Sequence, residues 1–109
     1  MRWQKSEQDA KYITNHVLQI LPLKGIKAWR QNNLAVRGRK FTGLLGVSDV
    51  IGYQKRGGRF VAVEVKGPKD TLSNEQIEFL ESIKKAGGIA IVATSTQQFE
   101  KELKEQLQN

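Results

Sequence analysis

The chain has 109 residues, a net charge of +7 and one histidine, and it contains no cysteine. This length suits one domain spanning residues 1–109; without cysteine, disulfide scaffolds and thiolate zinc sites are excluded, and the lone His16 cannot build a histidine metal cluster. Neither a membrane-length apolar run nor a charged-then-apolar leader is present, so a soluble, cytoplasmic protein without a membrane partner is expected.

Ser6 with Asp9 offers a helix start, and Ile13, Val17, Ile20 and Leu21 recur at helical spacing until Pro22 and Gly25. Ile26 to Gln31 reads as a first strand, and the Gly- and Arg/Lys-rich stretch Val36 to Gly46 as a loop. Strands over residues 47–55 and 59–66 follow, joined by a turn at Gly57-Gly58. Ser73 with Gln76 is a capping-box pattern opening a helix that carries Ile77, Leu80 and Ile83 and stops at Gly87. Ile89 to Ala93 is apolar on both faces, which predicts a central, parallel strand reached by a helical crossover. Thr96 then caps a last helix with a Phe99, Leu103, Leu107 stripe. The order is α-β-β-β-α-β-α, an α/β fold in which a mixed central sheet is flanked by helices.

Charged residues inside the apolar strand Phe60-Val61-Ala62-Val63-Glu64-Val65-Lys66 call for a reason. Strand alternation sets Phe60, Ala62, Glu64 and Lys66 on one face and the valines on the other. Fourteen residues separate Asp49 from Glu64, and hairpin pairing brings these acids together. Two carboxylates on one sheet face repel unless a cation lies between them, and oxygen-only ligation suits Mg²⁺ or Mn²⁺. The bland readings are a turn-forming Asp49 and a Glu64–Lys66 ion pair on a solvated face, where such pairs contribute little.

Asp49 followed by Glu64-Val65-Lys66 resembles the PD-(D/E)XK nuclease signature, and specifically its VRR-NUC branch. Supporting pieces are Gly46-Val47-Ser48-Asp49, Gly58-Arg59 before the valine-rich strand, Glu64-Val65-Lys66-Gly67, Leu72-Ser73-Asn74-Glu75-Gln76 and Gly87-Gly88. The resemblance runs from about Ser6 to about Ser95, with Ser48 standing where the signature has proline. It implies a restriction-endonuclease-like core in which Asp49, Glu64 and the Val65 carbonyl hold the metal and Lys66 orients the attacking water. It also implies that Glu7, in the first helix, completes the metal shell, and that Gln76 matches a glutamine near the catalytic lysine. The bland readings of these two are helix-dipole stabilisation for Glu7 and helix capping for Gln76.

Residues 1–66 carry thirteen Lys/Arg against four Asp/Glu, and residues 67–109 five against seven, so the first part is +9 and the rest −2. Arg30, Arg37, Arg39 and Lys40 are the expected phosphate contacts. Small standalone, phage-type members of the family imply a Mg²⁺- or Mn²⁺-dependent endonuclease without a small-molecule cofactor. Such an enzyme is expected to act as a homodimer on branched DNA such as Holliday junctions during replication or repair, with the first and last helices as candidate dimer surfaces. A non-catalytic branched-DNA-binding module and a nuclease subunit of a larger complex stay open as alternatives. His16 reads as a helix-surface residue. Trp3 and Trp29 have the chemistry to stack on bases, but Trp29 in an alternating strand reads as core, and no stacking role is assigned. Replacing Arg37 and Arg39 together by alanine should weaken DNA binding and flatten its salt dependence, measured by anisotropy titration at several ionic strengths.

Overall fold

The computed structural model describes residues 9–31 and 43–108. Glu7, Arg37, Arg39 and Lys40, like Trp3 and Ser6, lie outside the described residues. Helix α1 (Ala10–Leu23) leads into β1 (Ile26–Arg30), β2 (Val50–Gln54) and β3 (Phe60–Val65), then α2 (Asn74–Lys85), β4 (Ile89–Ala93) and α3 (Thr96–Leu107). The element order is α-β-β-β-α-β-α, as expected, and the sheet is mixed: β1–β2 and β2–β3 are antiparallel, β3–β4 parallel.

Capping explains where the helices begin, and at two of them it differs from expectation. The Asp9 carboxylate accepts the N–H groups of Lys11 (2.9 Å) and Tyr12 (3.2 Å), so Asp9 is itself the N-cap of α1 and not the partner of a Ser6 cap. Pro22 lies inside the last turn, and the helix closes one residue later through Lys24 N–H to the Leu21 carbonyl, with Gly25 in the left-handed region. At α3 the cap is Ser95, whose hydroxyl accepts the Gln98 N–H at 3.1 Å; Thr96 is the first helical residue and is buried.

The sheet separates two apolar layers. Ile13, Val17 and Leu21 of α1 and Phe99 and Leu103 of α3 pack with Val61, Val63, Val65, Ile89 and Ile91 on one face. On the other face Ala62 and Ala90 meet Leu80, with Leu72, Phe79 and Ile83 packed around them. Alanine at both sheet positions lets α2 lie close to the strands. Ile77 of α2 is 38% exposed. Phe99 and Leu103 are fully buried in the chain's own core, so the stripe of α3 serves folding and is not a free dimer surface.

The strand order is β1-β2-β3-β4, which makes β4 an edge of this sheet and not the central strand its sequence predicts. Both of its faces are apolar because α2 covers one and α3 the other; the pattern reports helix cover and says nothing of neighbours in the sheet plane. Its open backbone edge is closed by side chains of α3. The Gln106 amide accepts the Ala90 N–H (3.1 Å) and donates to the Ala90 carbonyl (2.9 Å). The Gln98 amide donates to the Val92 carbonyl (2.9 Å) and accepts the Thr94 N–H (2.9 Å). Two glutamines thus occupy the ladder positions at which a further strand would pair. Replacing Gln98 and Gln106 together by alanine should cost about 2 kcal/mol and promote self-association through the freed edge, read by urea denaturation and light scattering.

Candidate active site

Residues 47–49 precede β2, whose last rung with β3 at this end is Val50 opposite Val63. One step further along, Asp49 stands across from Glu64. The Asp49 Oδ2 accepts the Val65 N–H at 2.9 Å, so a side chain takes the strand donor just beyond the ladder's end. The Asp49 carbonyl accepts the Gln31 N–H at 2.7 Å, which ties the end of β1 to the same place.

Glu64 is only 2% exposed. Its Oε2 accepts a hydrogen bond from Gln76 Nε2 at 3.1 Å and lies 3.8 Å from the Lys66 ammonium, while its Oε1 is buried without a hydrogen-bond partner. Such an oxygen is costly to bury, and the pair with Lys66 is too long to satisfy it. Burial first, then the charge of the Asp49 carboxylate and the hydrogen bond that Asp49 accepts from the protonated form, push the Glu64 carboxyl up to about 8, with the Lys66 ammonium pulling the other way; the unpartnered oxygen is that of the ionised form.

Gln76 closes the capping box and also faces Glu64. Its Oε1 accepts the Ser73 N–H (2.9 Å), its backbone N–H donates to the Ser73 hydroxyl (3.1 Å), and its Nε2 is left to face Glu64. The cap orients the amide. Gly46 supports the same turn from below: it has φ +83°, and a Cβ there would stand 2.3 Å from the Glu75 carbonyl oxygen and 2.8 Å from Gln76 N. Only glycine allows the loop before Asp49 to lie against the backbone of α2.

Asp49, Glu64, the Val65 backbone, Lys66 and Gln76 therefore converge at one end of β2 and β3. Arg30 does not join them. It pairs with Val50, and strand alternation sets it on the α1 side of the sheet, the opposite side from Glu64. Ser48, at the position of the signature's proline, is fully buried with an unpartnered hydroxyl. His16 lies far from the acids in sequence and fold, 2.6 Å from Glu100 of α3. Beside Lys66 a cleft of about 470 Å³ opens between the ends of β3 and β4, lined by Gly67, Asp70, Leu72, Thr94 and Ser95. Asp70 shapes this rim by accepting the Gly67 N–H at 2.9 Å. Asp70 is a site-shaping residue that the sequence reading does not single out; the short Lys66-Gly67-Pro68-Lys69-Asp70 turn is the signal for it. A groove of about 500 Å³ between α1 and α3 is on the far face of the sheet, and its lining acid, Glu100, is the one held by His16.

The donors fit a hard divalent cation: two adjacent carboxylates, one with a buried oxygen that has no donor when ionised, and no His or Cys ligand beside them among the described residues. No group of three His, Cys, Asp or Glu side chains suited to a metal occurs among the described residues. A family model described as VRR-NUC domain matches residues 1–97 of the chain. No curated protein and no solved structure matches it.

Glu64 titrates near 4.5 in an unfolded chain and near 8 in this fold, so its contribution to stability is complete below about 4.5 and is lost as the pH rises through about 8. Glu64→Gln stays neutral throughout. In metal-free buffer its Tm should match wild type under acidic conditions, exceed it increasingly between about pH 4.5 and about pH 8, and keep a constant lead above that; a difference that does not vary with pH would refute the shift.

Proposed function

Because the chain belongs to the VRR-NUC family, nucleases of the PD-(D/E)XK type that act on DNA, we propose that it is a metal-dependent endonuclease working through Asp49, Glu64, Lys66 and Gln76. PD-(D/E)XK nucleases generally use divalent metals, and here Mg²⁺ or Mn²⁺ is the fitting ion. The observation that carries this reading is the buried Glu64 carboxyl set against the Asp49 carboxylate, with no donor for its Oε1 once both are ionised. Asp49, Glu64 and the Val65 carbonyl would hold the ion, with Glu7 completing the shell. When bound, the ion neutralises charge on the phosphate and lowers the pKa of water.

The chain's own groups do the positioning. The Val65 N–H fixes one oxygen of Asp49 and the Gln76 amide fixes one of Glu64, so each acid keeps its other oxygen for a ligand. Lys66 is a compact cation whose ammonium, 3.8 Å from Glu64 and partly exposed, has the reach to orient a water and to stabilise charge on the phosphate as it develops. Its neighbouring cleft gives the substrate access from the open ends of β3 and β4.

Arg37, Arg39 and Lys40 supply phosphate contacts that carry affinity and not chemistry, and Arg30, on the other face of the sheet, is not counted with them. Branched DNA such as a Holliday junction is the proposed substrate, and a C2 homodimer would supply the two symmetric cuts that one site per chain cannot make.

Cleavage of a labelled four-way junction, compared with duplex, flap and single strand, tests the proposal. Mg²⁺ or Mn²⁺ should support cutting and EDTA abolish it. Lys66→Ala, Asp49→Asn and Glu64→Gln should each lower the rate by about 10²-fold or more while binding changes little. Activity surviving in the triple alanine variant of Asp49, Glu64 and Lys66 would refute the assignment, and tight junction binding without cutting would mark a binding module instead.

A further inference from the structure

On the sheet face that carries Asp49 and Glu64, α2 lies chiefly over β3 and β4, and Ile51 is the residue of β2 that joins the apolar layer there. Over β1 and the rest of β2 it is open among the described residues, and what it presents is aromatic. Trp29 is 42% exposed, Tyr53 40% and Phe60 38%. Trp29 is thus not the core residue its strand predicts.

Register explains how these rings come together. Lys27, Tyr53 and Phe60 form one cross-strand row, Trp29, Ile51 and Ala62 the next, and Asp49 with Glu64 stands one step beyond. Rows on one face recur every second residue, about 7 Å along the strand, so the aromatic surface begins directly beside the acids. Trp29 and Tyr53 are diagonal neighbours with ring centroids 6.5 Å apart and planes at 70°, an edge-to-face pair in which both rings keep open surface. Cations border the rings. Lys27 stands in the outer row, Lys55 and Arg56 in the turn after β2, all exposed, and no Asp or Glu occurs in β1, β2 or that turn.

We propose that this open aromatic face stacks unpaired bases of the DNA substrate and guides a single strand away from the scissile phosphate. A ring face accepts any base whose own face is free, which a nucleotide in intact duplex does not offer, and the bordering cations match the phosphates. The face therefore selects DNA with unpaired nucleotides next to the cut. The location of that cut rests on the nuclease reading above; the stacking itself needs neither metal nor cleavage.

The test is binding of oligothymidylate in EDTA, followed by Trp29 fluorescence in a Trp3→Phe background and by anisotropy of labelled DNA. Oligothymidylate should quench Trp29 emission. Trp29→Ala and Tyr53→Ala should each weaken single-strand binding about tenfold, with a smaller effect on blunt duplex, and Trp29→Phe with Tyr53→Phe should retain most of the affinity in a chain that keeps both rings. Unquenched emission, equal losses for single strand and duplex, or a dimer that the alanine variants convert to monomer would each overturn the proposal, the last because a second copy would then cover the face. If the rings take up oligothymidylate yet no DNA is cut with Mg²⁺ or Mn²⁺, the nuclease reading fails and the stacking surface stands.

Discussion

The hydrogen bond from the Val65 N–H to Asp49 Oδ2 is the contact on which the site depends. The β2–β3 ladder stops at Val50 opposite Val63, and the carboxylate takes the next strand donor in place of a backbone carbonyl. An acid held this way cannot swing away from its neighbour. Glu64 is therefore buried beside a fixed carboxylate; its proton is retained to about pH 8, and once it is lost one buried oxygen has no donor. The fold stores an arrangement that a cation would relieve.

Everything around that bond keeps α2 close. Ala62 and Ala90 lower the sheet surface beneath the helix, and Gly46 lets the loop before Asp49 touch the helix backbone at Glu75 and Gln76. The capping box then decides which end of the Gln76 amide faces the sheet: its oxygen is engaged by Ser73, and its nitrogen meets Glu64. One residue closes a helix and positions a carboxylate, so helix stability and site geometry are coupled through a single side chain. On the opposite edge the same amide chemistry is used differently, as Gln98 and Gln106 finish the hydrogen bonding of β4.

Local pattern made much of this legible. Alternation in β3 assigned Glu64 and the valines to opposite faces, because a strand's period is two whatever surrounds it. Turn glycines and capping residues marked the element order within a few residues. Misreadings arose where several residues satisfied one local rule. Ser6 and Thr96 have the chemistry of caps, yet the helices begin where the Asp9 and Ser95 side chains accept the first free N–H groups. Trp29 looks like core from its alternating strand, yet α2 lies chiefly over β3 and β4, and Trp29 is left partly exposed.

The sequence by itself determined the element order, the pairing of Asp49 with Glu64 across a hairpin, and the chemical type of ion those acids could hold, because each follows from short-range periodicity and residue chemistry. Only the tertiary structure decided that β4 is an edge, that the α3 stripe is spent on the core, that Arg30 stands on the far side of the sheet from the acids, and that an aromatic face lies open beside them. Those outcomes depend on which surfaces the helices cover, and cover is a property of packing between segments distant in the chain, which no local pattern encodes.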